Sequence, residues 1–142
     1  MNLKKRVFFN ASVILAGLRM LGGGSGKILS WAKQRKISGI ISEIILDEVS
    51  RNSPKINRSR NWILSQSRII FAKISSPPGL NNVNHYKNIV IDYGDAHVLA
   101  SAKEKKADFL VTLDKKHLLV LKNKVKDFKI LTPGQLIEKL NT

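Results

Sequence analysis

The sequence predicts a three-layer α/β fold, with a central, mostly parallel sheet flanked by helices. Two observations carry that expectation. Apolar runs of three to five residues alternate with segments of helical pattern along the chain, and short apolar strands between helices suit a parallel sheet covered on both faces. The runs are also bounded by loop and helix-start signals, among them Gly22–Gly26, Ser42 and Thr132-Pro133-Gly134-Gln135.

Arg6–Phe9 reads as the first strand, and Ser12 as the cap of a helix over Ser12–Leu21. Gly22–Gly26 is a loop, with Ser25 capping a helix that runs to about Lys36. Gly39–Ile41 forms a strand, and Ser42 caps the helix that carries Glu48. Beyond Pro54, Lys55–Gln66 is expected to be a basic, mostly exposed helix and Arg68–Ala72 a strand. Ser75–Gly79 is a loop by its prolines, and Asn81–Asp92 carries no clear pattern. Asp95–Lys105 then forms a helix, Phe109–Val111 a strand, Lys115–Leu121 a short helix and Lys129–Leu131 the last strand. Thr132 and Gln135 make a capping box, with proline at the first helical position of a terminal helix. Residues 1–142 are expected to form one domain, long enough to bury a normal core.

The 25 Lys and Arg against 10 Asp and Glu give a net charge of +15. Such a field attracts nucleic acid, anionic membrane or an acidic protein. The absence of cysteine excludes disulfides and thiolate metal sites. No apolar run reaches the roughly 18 residues of a membrane span, and the basic-apolar start Lys4–Phe9 is followed by no cleavage site. The expected location is cytoplasmic.

Two acids stand on stripes that should be apolar. Glu48 shares helical spacing with Ile41, Ile44 and Ile45, and Asp95 with Val98, Leu99 and Ala102. A buried lone carboxylate costs several kcal/mol unless its charge is compensated. Asn10 and Asp114 follow expected strands, at the ends where ligands gather in such folds. Four polar positions can therefore converge, and three of them are acids. Oxygen ligands without His or Cys suit Mg²⁺ or Mn²⁺. Plainer roles stand beside this one. Asp114 could cap a following turn, Asp95 could favour a helix dipole, and Glu48 could pair with Arg or Lys. Ser12 and Thr112 could bond a metal water or a phosphate, or serve as ordinary strand-end hydroxyls. Asp92, Glu43 and Asp47 read as surface or rim acids, although Asp92 could reach an outer metal shell. His97 reads as a surface residue facing away from Asp95, His85 and His117 have no evident partner, and Trp31 and Trp62 read as helix-packing residues.

Four stretches in series carry a family resemblance: Val7–Ile14, Ile41–Val49, Asp92–Leu99 and Ala107–Asp114. On these the chain resembles the PIN-domain ribonucleases, most closely the small toxin-like prokaryotic members. The resemblance implies a PIN-like fold and metal-dependent endonucleolytic cleavage of single-stranded RNA. It also implies a small antitoxin partner and a homodimer. The family's acidic quartet falls on residues 10, 48, 95 and 114, so Glu48, Asp95 and Asp114 would bind metal. The first position is normally Asp, whereas this chain has Asn10, which offers a carbonyl oxygen but no charge. That departure keeps two alternatives open: a catalytically silent RNA-binding module of the same fold, and a basic protein that binds an acidic partner.

Overall fold

The computed structural model describes residues 4–141. β1 (Arg6–Phe9) occupies the centre of the sheet because it can be covered on both faces; the successive side chains of Phe8 and Phe9 point to opposite sides and are fully buried. It pairs in parallel with β2 (Ser38–Ser42) on one side and β4 (Phe109–Val111) on the other. β3 (Lys73–Ser75) extends the sheet beyond β2, and β5 (Lys129–Leu131) extends it beyond β4. The order is β3-β2-β1-β4-β5, with every pairing parallel. The expected three-layer fold is present.

α1 (Ala11–Arg19) and α2 (Gly24–Lys33) connect β1 to β2. α3 (Glu43–Arg51), a 3-10 turn at Ser53–Ile56 and α4 (Arg60–Ile70) lead on to β3. α5 (Leu80–Lys87) and α6 (Ala96–Glu104) lie between β3 and β4, and α7 (Pro133–Leu140) follows β5. Right-handed crossovers put α1 to α4 on one face, and α5 with α6, whose connection runs back across the sheet, on the other. Gly39 lets α2 come close to β2, since a Cβ there would lie 2.8 Å from that of Ala32. Arg35 adopts a left-handed φ of 62° just past α2. Its Nη1 donates to the carbonyls of Ala32 and Ile70, each at 2.7 Å, tying the end of α2 to the end of α4.

Several local expectations need correction. α1 starts at Ala11 with Asn10 at the cap position, because the Ser12 hydroxyl is engaged across the sheet end rather than with its own helix. α2 is capped by Gly23, and Ser25 lies buried in its first turn. Lys55–Gln66 divides into the 3-10 turn and α4. Of the expected strand Arg68–Ala72, Arg68–Ile70 end that helix, Phe71 and Ala72 lead out of it, and the strand begins at Lys73. A short apolar run suits either element; here Ile63, Ser67 and Ile70 form the buried stripe, and Ile69 is left exposed. The unpatterned Asn81–Asp92 holds α5, whose start is secured from outside. The Glu104 carboxylate accepts the Gly79 N–H at 2.8 Å and the Asn82 amide at 2.7 Å. Lys115–Leu121 closes into turns, with one 3-10 turn at Leu119–Leu121. Ser42 caps α3 as expected, through the Ile45 N–H at 3.1 Å.

The capping box of α7 is formed in full. Gln135 N donates to Thr132 Oγ1 at 3.1 Å, and Thr132 N donates to Gln135 Oε1 at 3.0 Å. Thr132→Ala should lower stability by about 1 kcal/mol in urea unfolding. An unchanged midpoint would show that the box contributes nothing.

Candidate active site

The chain leaves β1 towards β2 and later returns on its other side as β4, so the carboxyl ends of β1 and β4 flank a topological switch point. Asn10 follows β1 directly, and its backbone N–H donates to Val111 O at 3.0 Å, extending the ladder. Its side-chain Oδ1 accepts two hydroxyls, Ser12 Oγ at 2.8 Å and Thr112 Oγ1 at 3.0 Å. Each hydroxyl in turn accepts a backbone N–H, from Leu113 at 3.1 Å and from Asp114 at 3.0 Å. Their own protons are thereby aimed at Asn10, and both lone pairs of Oδ1 are used. Reversing the amide would orphan the hydroxyl proton of Thr112, which is fully buried. Residue 10 therefore turns its Nδ2, which has no partner among the described residues, towards the cleft. The carbonyl oxygen expected to be on offer is committed to Ser12 and Thr112.

Asp114 caps the turn that follows it. Its Oδ1 accepts the N–H groups of Lys116 and His117, at 3.1 and 3.0 Å. Oδ2 is left beside His117 Nδ1 at 3.3 Å. Asp95 ends a 3-10 turn at Tyr93–Asp95 that Asp92 caps by accepting the Gly94 N–H at 2.9 Å. Burial pushes the Asp95 carboxyl up to about 6, with the charges of Asp114, Asp92 and Glu48 adding and His117 opposing. Glu48 is half-buried on α3. Its carboxyl is raised by burial, against the pull of Arg51 and Lys55. Arg51 is paired with Asp47 at 2.8 Å rather than with Glu48. Glu43, Asp47 and Asp92 are exposed, as expected of surface and rim acids.

The four sequence-derived positions line one cleft of about 480 Å³, together with Ser12, Lys55 and His97. Thr112 lies beneath it, holding Asn10. Three carboxylates, one of them raised partly by the other two, form a donor set that fits a hard cation. Asn10, showing an N–H, does not fit as a ligand.

Two histidines differ from expectation. His97 lines the cleft, and its Nδ1 is buried without a partner among the described residues. Burial lowers its pKa. Helix α6 is buried almost all round, so it offers no solvent face for His97 to take. His117 was missed as a partner of Asp114, although the Asp-x-x-His spacing of a capped turn could have indicated it. Trp31 and Trp62 pack against the core as expected, under Lys27 and Arg58 respectively.

A carboxyl raised on folding stabilises the folded state below its unfolded pKa, and that contribution is lost as pH rises through the folded value. For Asp95 the window runs from 3.8 to about 6. Metal-free protein should therefore lose stability across that range. Asp95→Asn should melt higher than the parent at pH 7.5 and show a flatter pH profile in thermal denaturation. A lower melting temperature for the variant would contradict this electrostatic account.

Two solved structures share the architecture. PAE2754 from Pyrobaculum aerophilum superposes with a TM-score of 0.63 at 19% identity, over 96% of each chain. FitAcB from Neisseria gonorrhoeae gives 0.62 at 16% identity, over 90% of this chain and 98% of that one. At these identities the likeness concerns the fold alone. A search of curated protein sequences returns no match. The sequence model of the PIN domain matches residues 6–116, most of the chain and all four cleft positions, and the protein belongs to the PIN-domain family.

Proposed function

We propose that this chain is a PIN-type, divalent-metal-dependent endoribonuclease acting on single-stranded RNA, the toxin of a cytoplasmic toxin–antitoxin pair. The observation that carries the reading is the meeting of Glu48, Asp95 and Asp114, from three separate segments, in one cleft at the switch point. These three would hold Mg²⁺ or Mn²⁺. A divalent ion bound there supplies Lewis acidity towards a phosphodiester and a water of lowered pKa. Lys55 on the cleft wall can neutralise a phosphate oxygen. Asn10 Nδ2 can donate to another, held in that orientation by Ser12 and Thr112. The net charge of +15 supplies a long-range attraction for the RNA backbone.

A small antitoxin protein and a second copy of the chain are the partners the family resemblance supplies. An apolar groove lined by Leu18, Leu21, Leu29, Trp62 and Ile70 is available to a partner, and Leu21 at its edge is exposed. No helix among the described residues is long and apolar enough to cross a membrane. A second reading, a catalytically silent RNA-binding module, is favoured by the outward-turned amide of Asn10.

Asn10→Asp restores a charged oxygen at the first position. It should raise Mn²⁺-dependent cleavage of single-stranded RNA a few hundredfold, on the order of 3 to 4 kcal/mol in the barrier. It should also lower the melting temperature of the metal-free protein by adding a fourth acid. Asp114→Asn, the control, should weaken Mn²⁺ binding in calorimetry. Equal cleavage by parent and Asn10→Asp would remove residue 10 from the machinery. No cleavage by either, with metal bound, would favour the silent module.

RNA binding by the isolated chain should fall steeply between about 50 and 200 mM salt, whatever the sequence. Fluorescence anisotropy on a labelled oligonucleotide measures this. A flat salt response would leave the charge to an acidic protein partner.

A further inference from the structure

The cleft adjoins a second depression, lined by Lys87, Asp92, Tyr93 and His117 among others. Asp95 and Asp114 belong to the first, His117 to the second, and one donor atom from each of the three lies within 4.8 Å of the others. With metal–ligand bonds of about 2.1 Å, neighbouring ligands of an octahedral ion stand about 3.0 Å apart and opposite ones about 4.2 Å. The separation of 3.3 Å between His117 Nδ1 and Asp114 Oδ2 is close to that of neighbouring ligands. Asp114 Oδ1 is held by the N–H groups of Lys116 and His117, which fixes the turn and leaves Oδ2 to coordinate. A second, independent observation comes from the first position of the quartet. Asn10 is only 8% exposed, and its unpartnered Nδ2 turns into the cleft, so that position withholds a ligand.

Resting on the metal-nuclease reading, we propose that Asp95, Asp114 and His117 form a mixed nitrogen–oxygen metal site. His117 supplies the ligand that residue 10 withholds, and the site selects a first-row transition ion over Mg²⁺. The chemical reason lies in the donors. Mg²⁺ is hard, demands oxygen and keeps its waters, whereas an imidazole nitrogen is a better donor to Mn²⁺ and, further along the series, to Co²⁺. Among the described residues no other histidine joins the cluster.

Chelator-stripped full chain, parent and His117→Gln, is titrated with Mn²⁺, Co²⁺ and Mg²⁺ by calorimetry. The His117 side chain is 40% exposed, so the substitution should leave the melting curve nearly unchanged. The parent should bind Mn²⁺ about tenfold or more tightly than Mg²⁺. His117→Gln should lose about tenfold for Mn²⁺ and Co²⁺ while Mg²⁺ affinity moves little. Spin-echo modulation of bound Mn²⁺ should show an imidazole nitrogen coupling in the parent that disappears in the variant. A Mn²⁺ spectrum without nitrogen coupling, or an equal loss for all three ions, overturns the role of His117 but leaves the carboxylate site standing. Failure of the parent to bind any of the ions overturns both.

Discussion

Asn10 and Thr112 are 102 positions apart, and the bond between them at 3.0 Å exists only because β4 lies against β1. That pairing is the constraint from which the site follows. It aligns the two strand ends, allows the Asn10 backbone to continue the ladder to Val111, and brings the Ser12 and Thr112 hydroxyls to the same amide oxygen. The hydroxyls then return to the backbone of Leu113 and Asp114. The loop that presents Asp114 is thus tied to the start of α1 by a closed hydrogen-bonded ring, in which the hydroxyl protons decide which atom of residue 10 faces the cleft.

Charge works against this arrangement. A chain with 25 cations and 10 acids places three of its acids around one cleft, where burial and mutual repulsion raise Asp95 to about 6. The described ion pairs do not quench the cluster: Arg51 and Arg60 are spent on Asp47, and Lys103 on Asp127. Among the described residues, only His117 stands within ion-pair reach of one of the three. Local stability given up in this way is what a site that waits for a cation is expected to show.

The surroundings of the cleft are held by contacts between segments. Glu104 fastens the beginning of α5, and Tyr86 on α5 donates to Asp127 at 2.5 Å, joining that helix to the approach to β5. Arg35 links the ends of α2 and α4. These polar ties compensate for helices whose own sequences are weak formers, such as the asparagine-rich α5.

Much was legible along the chain. β1, β4 and β5 have the bounds expected of them, Ser42 caps α3, and Thr132 and Gln135 open α7. These signals act between near neighbours, so sequence alone determined them. That positions 10, 48, 95 and 114 could converge on one cleft was legible too, because a polar residue at a strand end or on an apolar stripe stands out before any fold is known. Tertiary structure decided the rest. Arg68–Ile70, expected to begin a strand, end a helix because burial of Ile63, Ser67 and Ile70 favours one face. His97 enters the cleft because α6 is covered on nearly every side. Asn10 shows its nitrogen because two hydroxyl protons, one of them from the end of the neighbouring strand β4, claim its oxygen. Those outcomes depend on donors and surfaces supplied by distant segments, and no local pattern of residues carries that information.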